Sequence, residues 1–184
     1  MANKNTQGFG LIPGDRLGNT PAISGQSKYF IDAGVAGAIY NGSAVKSAAG
    51  YIVNGQGSAA PVVGVLNGVF FNAATTLKPT FANFYSGSIT PANSEDITAF
   101  VNDDPFQNYI VATDDAVAQA GYLETYDMNT TAGSSTTGKS SATLDIGTTG
   151  ADDKQYRLLR SNKRQHMHIN IINQQIELTI NFVI

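Results

Sequence analysis

The sequence of 184 residues lacks cysteine and tryptophan altogether. The absence of cysteine excludes disulfides, zinc–thiolate sites, iron–sulfur clusters and thiol nucleophiles, and it fits folding in a reducing cytoplasm. No apolar run approaches the roughly 20 residues that a membrane helix requires. The opening residues, MANKNTQGFG, have no apolar core of the kind that a signal peptide carries. We therefore expect no membrane partner.

Charge is also scarce, since only 14% of the residues are charged and the formal net charge is −3. Disordered chains usually combine low hydrophobicity with high net charge. Here 42% of the residues are hydrophobic, so we expect a folded chain. Its length suits one domain with an arm or a small appendage.

The few charges are unevenly placed along the chain. Eight acids and no lysine or arginine lie between Glu95 and Asp127. Five of the eleven basic residues then lie between Lys154 and Arg164. In an array of identical subunits such zones can meet across interfaces, whereas in a monomer they face solvent.

Short apolar segments separated by turn residues indicate an all-β fold. The many closely spaced strands favour a barrel or a sandwich, in a single domain over 29–184 that follows an extended N-terminal arm over 1–28. The arm lacks a sustained period and is rich in Gly, Asn, Gln and Pro. Strands are predicted at 28–32, 37–40, 44–47, 51–53, 62–65, 68–71, 80–85, 97–102, 107–113, 122–127, 141–146 and 155–160.

Three further segments carry specific predictions. The stretch TDDAVAQAG (113–121) has an N-cap threonine, early acids and a final glycine, which predicts at most one short helix. The closing run QIELTINFVI (175–184) alternates apolar and polar residues and predicts a strand. The polar stretch 129–141 predicts a long loop or a hairpin tip.

Two glycines interrupt the apolar segment PVVGVLNGVFF (61–71), although glycine weakens a strand interior. In one interpretation, Gly64 and Gly68 lie where a strand bends sharply or where another backbone approaches closely. In the other, Asn67 and Gly68 form the type I′ turn of a tight hairpin. Both interpretations give the glycines a role in shape.

We find no pattern of residues that predicts catalysis, a cofactor or a metal. His166 and His168 would lie on one side of a strand, but no third ligand is indicated. We interpret Asp104-Pro105 as the start of a turn and Asp114-Asp115 as the acidic first turn of the short helix. Nucleotide-binding and nucleophile-elbow motifs are absent. The basic zone lacks interleaved aromatics, so we expect no specific nucleic-acid partner.

The order of several segments resembles a known family. The segments are MANKN followed by GFG, YFIDAGVAGAIYNGSAVKSAAGYI, PVVGVLNGVFF, AFVNDDPFQNYIVATDD and TTGKSSATLDI. Together they resemble the capsid cement, or head decoration, proteins of tailed bacteriophages of aquatic bacteria. The turn NGSAVK departs from the family pattern, because Ser43 and Ala44 stand where an acid and a proline are expected.

This resemblance implies a single β-barrel or β-tulip-like domain, in a non-enzymatic virion protein that binds the outside of a capsid shell and stabilises it. It implies the major capsid protein and copies of the same chain, as a trimer or in lattice contacts, as partners. The protein would assemble in the bacterial cytoplasm and reside on the virion surface. We predict an assembly interface from apolar and basic residues of the arm and the basic zone: Phe9, Leu11, Ile12, Arg16, Arg157, Arg160, Lys163 and Arg164.

Other functions fit the same composition. A neck, tail or head-fibre-base protein would share the β-rich, cysteine-free composition. A carbohydrate-binding adhesin module would need exposed aromatic rings, which eight tyrosines can supply in the absence of tryptophan. An enzyme is the remaining alternative.

Overall fold

Twelve β-strands form most of the regular structure in the computed structural model, which describes residues 8–17, 21, 25–57, 61–148, 154–162 and 166–171. The strands are β1 (Ile12–Arg16), β2 (Ser27–Ile31), β3 (Ala44–Ala48), β4 (Tyr51–Asn54), β5 (Val62–Asn72), β6 (Pro79–Ala82), β7 (Ile97–Asn102), β8 (Gln107–Ala112), β9 (Thr125–Met128), β10 (Leu144–Asp145), β11 (Tyr156–Asn162) and β12 (His166–Ile171). Within the described residues, helical structure is limited to 3-10 turns at Ala92–Ser94, Gln119–Gly121 and Ile146–Thr148. The prediction of an all-β chain is confirmed.

The strands form two sheets whose ladders are antiparallel. Sheet I has the order β1-β8-β12-β11-β9-β10, and sheet II has the order β2-β7-β5-β3-β4. The long strand β5 pairs with β7 along one edge. Along its other edge it pairs first with β3 and then with β6. Strand β5 therefore links all parts of sheet II.

The inner face of sheet II carries the first apolar core. Its strands contribute side chains with almost no exposed surface, among them Ile31, Leu66, Val69 and Ile97. The loops after β2 and β6 close this core, because Ile39 and Tyr85 exchange two backbone hydrogen bonds of 2.8 and 2.9 Å and pack against it. The inner face is thus fully covered within the subunit.

The second core lies where sheet I packs on part of the outer face of sheet II. Ala44, Val62 and Val65 of sheet II are buried there with Tyr109, Val111, Tyr126, Leu158 and Ile169 of sheet I. A hydrogen bond of 3.0 Å from the Tyr109 hydroxyl to the Asn102 carbonyl joins the two sheets at its border. Sheet I covers only this end of the outer face.

Neither sheet closes into a barrel, which corrects one part of the predicted fold. Strands β2 and β4, at opposite edges of sheet II, contact each other, but no ladder of hydrogen bonds joins them among the described residues. A barrel requires every edge strand to pair. The fold is a curled sheet with a second sheet packed on its outside.

The two glycines of β5 permit bulges and close approaches within one continuous strand. The register shifts between Val45 and Lys46 against β3, and between Leu66 and Gly68 against β7. A Cβ atom on Gly64 would lie 2.3 Å from the Asn102 carbonyl oxygen. The interpretation as a bend with a close backbone approach is confirmed, and the hairpin interpretation is wrong.

Several predicted elements differ from the structure. Residues 12–16, expected in the arm, form β1 on the edge of sheet I, where Ile12 is opposite Ile110. The helix predicted over 113–121 is wrong except for one 3-10 turn at Gln119–Gly121. The expected N-cap, Thr113, forms a bridge with Leu144, and Asp114, expected in the first helical turn, accepts a 3.0 Å hydrogen bond from the Ile146 backbone N–H. The hairpin tip predicted in 129–141 is confirmed by the bridge between Ser134 and Lys139. The strand predicted at 175–184 lies outside the described residues.

Candidate interaction surfaces

The uncovered part of the outer face of sheet II carries a row of phenylalanines. Phe30 on β2 is opposite Thr98 on β7, and Thr98 is opposite Phe70 on β5. Phe70 is in turn opposite Phe81 on β6. Residues directly opposite each other in an antiparallel sheet share a face. One row across four strands therefore exposes three phenylalanine rings, with 52% of Phe30, 38% of Phe70 and 60% of Phe81 accessible to solvent.

Gly68 allows the rings to approach one another. It is opposite Phe100 in the next row of the sheet. A Cβ atom at Gly68 would lie 2.5 Å from the tip of the Phe81 ring, so the ring leans across the glycine. The centroids of the Phe81 and Phe100 rings are 6.2 Å apart at an angle of 47°, within the range of favourable aromatic pairs. We call Phe30, Phe70, Phe81 and Phe100 the aromatic face.

Opposite charges border the aromatic face at its two ends. Lys28 on β2 is opposite Phe100, so it borders one end. At the other end, Asn72 follows Phe70 on the same side of β5, and its side-chain amide donates a 3.2 Å hydrogen bond to the Glu95 carboxylate. No ion pair of Lys28 or Glu95 occurs among the described residues. Both residues are exposed.

A second exposed apolar surface lies at the β1 edge of sheet I and consists of Ile12, Leu17 and Phe106. Each of these side chains is about half accessible to solvent, and the Leu17 backbone N–H donates to the Phe106 carbonyl over 2.8 Å. Arg16 pairs with Asp104 at 2.8 Å, and its guanidinium lies 5.9 Å from the centre of the Phe106 ring. We call this group the edge surface.

The Asp104 carboxylate also organises the turn that carries Phe106. Its Oδ1 accepts a 2.9 Å hydrogen bond from the Phe106 backbone N–H, and the Gln107 N–H donates to the Asp104 carbonyl over 3.0 Å. The interpretation of Asp104-Pro105 as the start of a turn is confirmed. Arg16 is therefore held by the same turn that exposes Phe106.

The residues of the predicted assembly interface are divided between core and surface. Ile12 and Arg16 belong to the edge surface, and Arg157 is exposed on the outer face of sheet I. Phe9 is partly buried. Leu11 is only 1% accessible and packs in the second core, so it stabilises the subunit and is not on the surface. Its burial follows from the pairing of β1 with β8, which turns alternate residues inward.

The remaining basic residues of that prediction lie at or beyond the end of β11. Arg160 is opposite His168 in the ladder between β11 and β12. Lys163 and Arg164 lie outside the described residues. The structure thus places Arg157 and Arg160 on one strand of sheet I. The positions predicted for Lys163 and Arg164 in the interface stay predictions.

The acidic and basic zones of the sequence meet at an ion pair inside the subunit. The Lys154 ammonium lies 2.6 Å from the Asp127 carboxylate, and both side chains are largely shielded from solvent. Strand β11 carries the basic zone, and it pairs with β9, which carries Asp127. Part of the charge complementarity is therefore used for folding.

Tyrosines line the border between the sheets and have raised pKa values. Burial, followed by a 2.7 Å hydrogen bond from its hydroxyl to Asp103, raises the pKa of Tyr29 to about 12. Burial also raises the pKa of Tyr109, with smaller contributions from the charges of Asp104 and Asp103. These hydroxyls stay protonated near neutral pH and act as hydrogen-bond donors.

The described residues form two open depressions of about 400 Å³ each, one at Asn129 and Thr143 and one at Val117 and Tyr126. No group of three potential metal ligands occurs in this part of the chain. One cavity of about 150 Å³ lies between β1 and β5, and amide side chains, including those of Asn41 and Asn67, line it. The Asn41 side chain already donates to the Asn67 carbonyl over 2.5 Å. The exposed apolar surfaces are therefore the strongest candidates for function.

The aromatic face was not found by sequence reasoning, although the sequence contains a signal. The segments YFI, VFF, TFA and AFV of β2, β5, β6 and β7 each place an aromatic residue beside an apolar one. Because adjacent residues of a strand point to opposite faces, such pairs predict strands with two apolar faces. Only the pairing order shows that the aromatic members lie side by side.

Comparisons with known proteins give no relatives. No protein-family model matches the chain, and no match is found among curated proteins or solved structures. Within the described ranges, no helix is both long enough and apolar enough to span a membrane.

Proposed function

We propose that this chain is a structural virion protein that binds the outside of a tailed-phage capsid shell and stabilises it, as a cement protein does. Its partners are the major capsid protein and further copies of itself. It assembles in the host cytoplasm and resides on the virion surface. One observation carries the proposal: the described part of the subunit exposes two apolar surfaces, one on each sheet.

Exposed apolar surface of this kind usually marks an interaction site. The edge surface extends from β1 to the turn before β8, and the aromatic face lies on sheet II. A subunit that coats a shell needs contacts with two kinds of neighbour, the shell below and other subunits beside it. Two separate surfaces supply this, whereas a protein with one partner needs only one.

We assign the shell contact to the edge surface and the adjoining outer face of sheet I. There, Arg157 is an exposed cation, and Ile12 and Phe106 are exposed apolar groups. Interfaces are enriched in arginine and aromatic residues, which combine apolar area with directed hydrogen bonds. This assignment follows the interface predicted from the sequence, without Leu11.

Mass spectrometry of purified virions of the encoding phage tests the proposal. We expect a copy number comparable to that of the major capsid protein. A copy number typical of a single ring of subunits would instead support the neck or tail alternative. Absence of the chain from virions would overturn the proposal.

Shell binding by variants tests the assigned surface. We expect Ile12→Thr combined with Arg157→Gln to reduce shell occupancy at least about tenfold, because both residues lie in the contact. The melting temperature should change little, since exposed side chains contribute at most about 1 kcal/mol. Glu124→Lys, an exposed change at the residue before β9, is the control. Unchanged occupancy of the double variant would reject this contact.

A carbohydrate-binding function is the second candidate, because the aromatic face offers exposed rings. Sugar sites combine such rings with several polar groups that bind hydroxyls. Here Thr98 is the polar side chain within the row. Retardation of the protein in polysaccharide-containing gels, abolished by Phe81→Thr, would support this candidate over the virion function.

A further inference from the structure

The features of the aromatic face favour one kind of partner. Its rings lie in adjacent rows of four paired strands. Among the described residues of these rows, the sole charged side chain is Lys28, at one end. A surface without internal charge can pack against its own copy, since no like charges are brought together.

We infer that the aromatic face binds the aromatic face of a second copy of this chain through a two-fold axis. The axis lies in the plane between the subunits and is perpendicular to the line that joins Lys28 to Glu95 across the face. The inference deepens the self-association named in the proposed function, but it rests on the geometry of sheet II and holds whether or not the chain coats a capsid.

The charges at the two ends support this arrangement. Lys28 borders the end at Phe100, and Glu95 borders the end at Phe70, where Asn72 holds its carboxylate. Four residues of β7 separate the two ends, or roughly 13 Å along the strand. The two-fold axis exchanges the ends, so Lys28 of each copy lies beside the partner subunit's Glu95. One ion pair between a lysine and a glutamate then lies at each end of the apolar centre.

The exposed area indicates a weak dimer. A phenylalanine contributes about 150–250 Å² of surface, so the accessible fractions of Phe30, Phe70 and Phe81 amount to on the order of 300 Å² per subunit. A stable interface buries about 800 Å² per partner. The rings therefore form the centre of the contact, and the charged rim completes it. We expect a dissociation constant on the order of 10–100 μM.

Sedimentation velocity over a concentration series tests the inference on the wild-type chain. We expect a monomer–dimer equilibrium that Phe81→Thr weakens at least about 30-fold, because Phe81 is the most exposed ring. The variant keeps a β-branched residue in β6, and its melting temperature shows whether the fold is intact. A wild-type chain that remains monomeric at about 1 mM would overturn the inference.

Charge reversal tests the two-fold arrangement itself. Lys28→Glu places two acids at each end, and Glu95→Lys places two cations there, so each single variant should dimerise about tenfold more weakly. The double variant should regain the wild-type affinity. An equimolar mixture of the two single variants should form a mixed dimer, because every contact then joins opposite charges. Glu124→Lys, on sheet I, should have no effect.

The outcomes separate this inference from the other functions. A dimer dissociation constant that neither charge reversal changes would refute the arrangement. A mixture of the two single variants that stays monomeric would refute it as well. A monomeric chain that loses shell binding in Phe81→Thr would assign the aromatic face to the shell and overturn the inference. If the chain dimerises through this face but is absent from virions, the proposed function is contradicted and the inference about the dimer still holds.

Discussion

The two faces of sheet II are built from the same strands but differ in their exposure to solvent. On the inner face, Ile31, Leu66 and Ile97 are completely buried under loops of the same subunit. On the outer face, Phe30, Phe70 and Phe81 remain accessible. Both faces carry large apolar side chains. The difference shows that burial depends on what the chain places over a face, and that apolar character alone does not decide it.

The largest effect is expected on the inner face. Leu66→Ala should lower the free energy of unfolding by about 2–5 kcal/mol, because it leaves a cavity in a closed core. Denaturant unfolding followed by circular dichroism measures this value. A loss below about 1 kcal/mol would mean that the inner face is not packed as tightly as its burial indicates.

Alanine substitutions at the two glycines of β5 should also differ in their cost to stability, with the larger cost at the more enclosed site. Gly64→Ala should cost about 1–3 kcal/mol, since its Cβ would meet the backbone oxygen of Asn102, which cannot move aside. Gly68→Ala should cost less, because its Cβ meets the tip of the Phe81 ring, which can rotate towards solvent. Parallel unfolding curves of the two variants make this comparison, and equal costs would contradict it.

Tyr109 marks the border between the covered and the uncovered parts of the outer face. Tyr109→Phe removes the hydrogen bonds of its hydroxyl to the carbonyl and the side chain of Asn102, both 3.0 Å long. The expected loss is about 1 kcal/mol near neutral pH. Urea unfolding at pH 7 measures it, and an unchanged midpoint would show that the bond does not join the sheets.

The same variant should change the stability at alkaline pH. The pKa of Tyr109 is raised by burial in the folded state, so the unfolded chain loses this proton first as the pH rises above about 10. The folded state then holds more protons, and stability falls with increasing pH. Tyr29, with its pKa raised to about 12, acts in the same direction. Stability should therefore fall less steeply between about pH 10 and 12 in Tyr109→Phe than in the wild type.

The smallest effect is expected on the uncovered face. Phe81→Thr should change the free energy of unfolding of the monomer by less than about 1 kcal/mol, since most of the ring is already in water. Thermal unfolding at a concentration below the dimer range measures the monomer alone. A large loss of stability would show that the ring supports sheet II and is not reserved for a partner.

Sequence reasoning located most strands of sheet II to within a few residues. The short apolar segment at 97–102, bounded by turn residues, was predicted with the same bounds as β7, because such segments are typical of strands. Sequence reasoning divided β5 into two strands, since Asn67-Gly68 also satisfies the requirements of a tight turn. It missed β1, because Pro13 and Gly14 normally indicate a loop, and pairing of this edge strand with β8 overrides that local preference.

The sequence by itself determined that this chain forms an all-β fold and that glycines shape its longest strand. These properties depend on local preferences and on the two-residue period of strands, which can be read along the chain. The tertiary structure alone decided that Leu11 is core and that Phe30, Phe70 and Phe81 form one surface. The physical reason is that strand order and register bring together residues that are distant in sequence, and no local pattern encodes which face a second sheet will cover.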